Sequence, residues 1–151
     1  MTKNNNSLST EDKILKEKEE YEYWNIQKQD IHFTKNGEVS RFRVGEIRWV
    51  YFGKNIKSEV FGKGKSFSRP ALIFKTLYKY SAMVIPLTSQ EKNGSYYFSF
   101  LDNTKNKSWA IVSQMRYIDG SRIGEKVGYI SKKTFKNIED GLIDFIKNIP
   151  T

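Results

Sequence analysis

Gly62-Lys63-Gly64-Lys65-Ser66-Phe67-Ser68-Arg69-Pro70-Ala71-Leu72-Ile73 and, further on, Val84-Ile85-Pro86-Leu87-Thr88-Ser89-Gln90 are the stretches on which the fold turns. A basic, glycine-rich loop runs into an Arg-Pro step that opens an apolar run. A second apolar run ends in a proline and a hydroxyl-bearing turn. Short apolar runs bounded by turn residues are the pattern of buried strands. Read as strands, they carry one guanidinium and one hydroxyl at their ends, where the scaffold can hold them. Arginine offers five donors in a fixed fork that suits a phosphate, and it keeps its charge. Threonine donates to an oxyanion or orients a neighbouring hydroxyl.

The flanking sequence keeps the strand period. Residues 44–52 are rich in Ile, Val, Trp, Tyr and Phe, with Arg48 interleaved. Residues 69–74 and 81–85 are short apolar runs, and 95–101 alternates aromatics with serines. Residues 109–112, 116–118 and 127–130 bring the total to about seven short strands. Asn93-Gly94, Asp119-Gly120 and Thr34-Lys35-Asn36-Gly37 read as turns. So many short strands with glycine-bearing turns predict a mainly β fold, a strongly bent antiparallel barrel or half-barrel.

A helix is expected at each end. Over 10–29, Ser9 or Thr10 supplies a cap, and Glu11 and Asp12 sit where the helix dipole favours anions. Its apolar stripe (Ile14, Tyr21, Trp24, with Leu15 beside it) is thin, which predicts docking near 21–26 and fraying before that. Over 131–148, Ser131 caps, and Phe135, Ile138, Leu142, Phe145, Ile146 and Ile149 recur at helical spacing. Gly141 lies inside that helix at a cost of about 1 kcal/mol relative to alanine. Pro150 ends it. There is no internal repeat. The expected organisation is 1–32, a disordered start plus a helix, followed by a barrel domain with its helix over 33–151.

Composition narrows the chemistry. The chain has 151 residues, no cysteine and one histidine. It can form neither a disulfide nor a thiolate site, which suits a reducing cytoplasm. No run is apolar enough to span a membrane, and the polar, Asn-rich opening residues have no signal-peptide core. Residues 1–32 hold five lysines against seven acidic residues, so the +9 of the whole chain leaves +11 on 33–151. A basic, aromatic-rich domain suits nucleic acid or an acidic protein, and also describes an ordinary lysine-rich surface. With His32 alone, no two-histidine acid/base pair and no Ser-His-Asp set can be built. No Asp/Glu/His cluster has metal-ligand spacing, so no metal and no cofactor is expected. Gly62-Lys63-Gly64 has the spacing of neither a Walker loop nor a dinucleotide fingerprint. Metal-free RNA cleavage remains open, because the substrate's own 2′-hydroxyl can attack the adjacent phosphorus. Positioning and charge stabilisation then do most of the work. Arg69 and Thr88 are adequate for that, and also for a surface ion pair and a turn-capping hydroxyl.

The order of these signals resembles the MazF/PemK family of toxins, the RNA-cleaving halves of type II toxin–antitoxin systems. The resemblance lies in Val44-Gly45-Glu46-Ile47-Arg48-Trp49-Val50, in the glycine-rich loop into Arg69-Pro70-Ala71-Leu72-Ile73, and in Ile85-Pro86-Leu87-Thr88-Ser89-Gln90. It continues through Ala110-Ile111-Val112-Ser113-Gln114-Met115-Arg116-Tyr117-Ile118-Asp119 and 123–130. It covers roughly 44–147. It implies an SH3-like small β-barrel with a C-terminal helix, a cytoplasmic homodimer, and metal-independent cleavage of single-stranded RNA or mRNA. It implies Arg69 and Thr88 as the catalytic pair, with Lys63, Lys65, Ser89, Gln90, Gln114 and Arg116 as RNA contacts. Residues 53–68 become the family's mobile loop, which covers RNA or is displaced by antitoxin. It also implies DNA-binding autoregulation with that antitoxin.

The chain departs from the family in three places. Its loop is longer and more basic than in compact members. Ser113 stands where Asp is frequent, and Ile111 and Ser113 fill the places of a second Arg/Asp catalytic set. The N-terminal helix lies outside the minimal domain, where it is free to cover an edge strand or extend a dimer interface. The basic loop suits an acidic, partly disordered antitoxin with Phe61, Phe67, Tyr96 and Tyr97 as apolar anchors. Two other classes stay open: a catalytically silent RNA- or partner-binding module, and a CcdB-like, gyrase-binding toxin on the same fold.

Overall fold

The computed structural model describes residues 8–34, 41–78 and 80–148. In chain order these form α1 (Thr10–Phe33), β1 (Glu46–Tyr51), β2 (Ser68–Leu77), β3 (Ser81–Thr88), β4 (Tyr97–Leu101), β5 (Lys107–Ile111), β6 (Arg116–Asp119), β7 (Ile123–Tyr129) and α2 (Lys132–Lys147). All seven strands belong to one antiparallel sheet ordered β4-β5-β3-β2-β1-β7, with β6 also on β3. The architecture is the mainly β one expected. α1 forms one unit, and the described residues from 41 onward form the other.

β3 organises the sheet. One side pairs with β2 from Ser81 to Pro86; the other pairs with β6 along its first half and with β5 at Leu87 and Thr88. The strand therefore belongs to two sheet segments that diverge, and its faces meet two cores. Ile47, Leu72, Ile85, Leu87 and Ala110 pack with Ile138 and Leu142 of α2. Val50, Ala71, Ile73, Val84 and Ile111 pack with Phe52, Ile118 and Ile123 on the other side. Strands covered on both faces read as continuous apolar runs rather than alternating ones. That is why Ala71-Leu72-Ile73 and Val84-Ile85 are apolar without a break and fully buried.

Several boundaries move outward from the expected ones. β2 reaches Leu77, opposite Ser81 of β3, and β3 reaches Thr88 because β5 takes up the pairing at Leu87 and Thr88. β7 starts at Ile123 rather than 127, held by β1 across two register shifts. α1 ends at Phe33 rather than 29. Its first turn is capped: Ser9 and Asp12 form a reciprocal capping box, with the Asp12 N–H donating to Ser9 Oγ at 3.1 Å. The disordered start, the turn at 34–37, Ile149 and Pro150 fall outside the described residues, apart from Leu8, Ser9 and Thr34.

Gly141 turns out to be a packing requirement. A Cβ there would stand 2.3 Å from Cε1 of Phe98 on β4. The missing side chain lets α2 lie close on the sheet. Gly141→Ala is therefore expected to destabilise the protein by about 1–3 kcal/mol, although alanine is the better helix former by about 1 kcal/mol. Urea unfolding measures it, and a stabilised variant would show that Phe98 yields freely.

Candidate active site

β2 and β3 bring the two ends singled out in the sequence together. Their register pairs Leu72 with Ile85 and Ala71 with Pro86. The β2–β3 pairing ends there; beyond it, Arg69 on β2 and Thr88 on β3 lie at the same end of the two strands. Both line a cleft of about 250 Å³ with Lys63, Ser89, Trp49 and Ser108 among its walls.

The Arg69 guanidinium is fixed by backbone. Its Nε donates to the Phe61 carbonyl at 3.0 Å and its Nη1 to the Leu87 carbonyl at 3.3 Å. Leu87 immediately precedes Thr88, so this bond ties the cation to the strand end that carries the hydroxyl. No carboxylate pairs with Arg69 among the described residues, and none lines the cleft. Its burial draws its pKa below the ordinary arginine value.

Arg48 shows the opposite solution. It is buried too, but Glu46 neutralises it at 2.8 Å, and the Gly124 and Arg41 carbonyls take further donors. Burial alone would raise the Glu46 pKa; hydrogen bonds from Arg48, the Arg43 N–H and Lys126 outweigh it and hold the carboxyl below its usual range. Arg48 is thus a satisfied structural ion pair. Arg69 is a half-buried cation whose remaining donors have no protein anion, and an anionic ligand would restore what desolvation took away.

Thr88 is nearly buried, with its side chain held at the strand end. Its Oγ1 accepts the Gln90 N–H at 3.2 Å, which leaves its own proton to donate. Ser89 and Gln90 are exposed at the turn that follows.

The basic loop has a defined structure. Lys63 and Ser68 exchange backbone hydrogen bonds at 2.9 and 3.2 Å and close a four-residue turn, Gly64 to Phe67, with Lys65 exposed in it. Phe67 is buried, at 5% exposure, so it belongs to the core and offers no anchor to a partner. Gln114 brackets the outer part of the loop. Its Oε1 accepts the Val60 N–H at 2.6 Å and its Nε2 donates to the Ser58 carbonyl at 2.9 Å.

The structure therefore brings Arg69, Thr88, Lys63 and Ser89 to one cleft. It does not bring Gln114 and Arg116 there. Those two line another depression with Ser58, Glu59, Ser113 and Met115, and that depression shares no residue with the cleft. The Arg116 guanidinium lies over the Phe52 ring, 5.7 Å from its centroid. His32 sits in the last turn of α1 with Phe33 edge-on at 4.7 Å. Among the described residues no three His, Asp or Glu side chains gather as metal ligands. Nor, among the described residues, is any helix long and apolar enough to cross a membrane.

Trp49 and Ser108 are cleft residues that the sequence did not single out. Trp49 carried no usable signal, because β1 has buried residues on both faces: Ile47 on the face of Trp49, Arg48 and Val50 on the other. Ser108 carried none. The carbonyls that hold Arg69 are backbone atoms and leave no trace in residue types.

A family model described as PemK-like, MazF-like toxin of type II toxin–antitoxin system matches residues 43–146. No curated protein matches the chain. Among solved structures, a MazF from Deinococcus radiodurans superposes with a TM-score of 0.57 at 17% identity, covering 70% of this chain and 96% of its own. An endoribonuclease in complex with its cognate antitoxin from a mycobacterial species gives 0.53 at 10%, covering 74% and 99%. The MazE–MazF complex from D. radiodurans gives 0.53 at 14%, covering 72% and 97%.

Proposed function

The chain belongs to the PemK-like, MazF-like toxins of type II toxin–antitoxin systems, and from that premise we propose that it is a metal-independent endoribonuclease cutting single-stranded RNA at the Arg69/Thr88 cleft. The observation that carries this reading is the half-buried Arg69 guanidinium with no carboxylate partner among the described residues, sharing one cleft with the Thr88 side chain.

In this reading the scissile phosphate sits against the unused donors of Arg69. The RNA 2′-oxygen bonds to phosphorus as it loses its proton, and the bond to the 5′-oxygen breaks as that oxygen gains one. Products are a 2′,3′-cyclic phosphate and a 5′-hydroxyl. Negative charge grows on the phosphorane oxygens, where a preorganised guanidinium and hydroxyl stabilise it without reorganising. Thr88 donates to the phosphorane or orients the 2′-hydroxyl. Lys63 and Lys65 attract the backbone, and Ser89 and Gln90 contact the strand at the turn. Among the described residues the cleft is lined by no carboxylate or imidazole, which supports a step driven by Arg69 and Thr88.

The setting is cytoplasmic, as a homodimer held in check by an acidic antitoxin. Two of the similar structures are themselves complexes with antitoxins.

The expected result is undiminished cleavage of single-stranded RNA in excess EDTA, read on a gel with end-labelled substrate. Cutting that stops under chelation and returns with a divalent ion would refute the mechanism.

A further inference from the structure

Beside the cleft lies a broader depression of about 580 Å³, lined by Trp49, Tyr51, Lys63, Ser68, Gly124 and Glu125 among others. Trp49, Lys63 and Ser68 belong to both hollows, so the two are continuous across the indole. Trp49 is 43% exposed, a large apolar ring kept in solvent beside a basic cleft.

The sheet builds this shelf deliberately. Trp49 and Tyr51 lie two apart on β1 and share a face, opposite Pro70 and Ser68 of β2. On the other flank Arg48 pairs with Lys126 and Val50 with Ile123. Gly124 and Glu125 therefore both stand against Trp49 alone, the two-against-one count of a β-bulge. Bulges re-aim side chains beside functional sites. Gly124 keeps the space open: a Cβ there would come within 3.3 Å of the Trp49 carbonyl and 4.0 Å of the Tyr51 ring. The side chains of Trp49, Tyr51, Lys63 and Glu125 have no hydrogen-bond or ion-pair partner among the described residues. The shelf thus offers an indole, a phenol, a cation and a carboxylate in one place.

We infer that this shelf is a nucleobase subsite, in which Trp49 stacks a base adjoining the scissile phosphate and Glu125 accepts hydrogen bonds from that base's N–H groups. Every base has a π-face for the indole. A carboxylate only accepts, so it takes amino-bearing edges and repels carbonyl ones. Guanine presents N1–H and the N2 amine side by side and satisfies both carboxylate oxygens. Uracil offers one N–H between two carbonyls. The subsite selects guanine over uracil next to the cut. The inference rests on the RNA-cleaving reading of the neighbouring cleft and adds to it a base-specific pocket.

The test uses short single-stranded RNAs that vary one nucleotide at a time around the cut among guanine, inosine and uracil. Cleavage kinetics are read alongside binding by fluorescence polarisation. At one fixed position, inosine, which lacks the N2 amine, is expected to lower kcat/KM about tenfold relative to guanine. In Glu125→Ala the two bases should then agree within twofold. Trp49→Ala should raise KM five- to a hundredfold with kcat within threefold, the span of one base–aromatic stack, and Trp49→Phe should recover most of it. An unchanged KM in Trp49→Ala, or a wild type blind to inosine at every position, overturns the subsite alone. A wild type that cuts nothing but binds guanine-containing RNA through Trp49 sinks the cleavage reading and keeps the subsite. A wild type that binds no RNA overturns both.

Discussion

Arg69→Ala is expected to lower the cleavage rate by about 10³-fold, the scale on which a preorganised transition-state donor acts, while the protein stays folded. The substitution removes a cation that no carboxylate neutralises, so it creates no orphaned buried anion. What it does orphan is the carbonyls of Phe61 and Leu87. Each lost bond costs about 1 kcal/mol, a modest fall in melting temperature. Arg69→Lys keeps the charge but cannot span Phe61, Leu87 and a phosphate at once. It should recover less than a tenth of the activity, because a bidentate fork and a point charge are not interchangeable. Thr88→Val preserves shape, removes the hydroxyl and should also cut activity strongly. Single-turnover cleavage, with circular dichroism as the folding control, reads all three. Activity of Arg69→Ala within threefold of wild type would make Arg69 a structural residue.

The second large effect is expected at Gly62. A Cβ there would lie 1.6 Å from the Phe67 carbonyl oxygen and 2.5 Å from the Ser68 nitrogen. These are backbone atoms, so no rotamer change makes room. Gly62 also donates to Gly53, whose own N–H donates to that same Phe67 carbonyl. Gly62→Ala must pry the Gly53–Gly62 segment from Phe67 and Ser68, unseat the buried Phe67 ring and pull Phe61 away from Arg69. A loss of about 3 kcal/mol or more is expected, and at least tenfold in cleavage at temperatures where the variant remains folded. Gly64→Ala is the control. Gly64 has a φ of +68° with nothing within 4 Å of a Cβ. It should cost only about 1–2 kcal/mol of left-handed backbone strain, with activity retained. Urea titration and cleavage rates of the pair decide it. Equal effects at both positions would mean that the close approach at Gly62 relaxes freely.

What the sequence made legible follows from periodicity. The unbroken apolar runs around Leu72 and Ile85 announced strands covered on both faces, and Ser131 announced the start of α2. Arg69 and Thr88 could be paired because each stood at the edge of such a run. The rest depended on contacts between distant positions. Gly141 read as a helix defect because Phe98, the ring that needs its bare Cα, lies far away in sequence. Gln114 and Arg116 were read from the matching stretch 110–119 but face another hollow. Polar residue types alone do not say whether an amide grips a ligand or its own loop. A count along β1 did not mark Trp49 either, since Ile47 on the same face is buried.

The Gln114 bracket has a thermodynamic consequence. Gln114 holds Ser58 and Val60, the next residue is Phe61, and the Phe61 carbonyl holds Arg69. Loop and guanidinium are therefore linked through a single short covalent segment. A protein that draws this loop away from Gln114 also withdraws an acceptor from Arg69, without entering the cleft. By reciprocity, a phosphate that reorients Arg69 alters the affinity of the loop for that protein by the same factor. Inhibition of the proposed cleavage need not be occlusion; it can be exerted from the outer side of the loop, one peptide unit away from the charge it disarms.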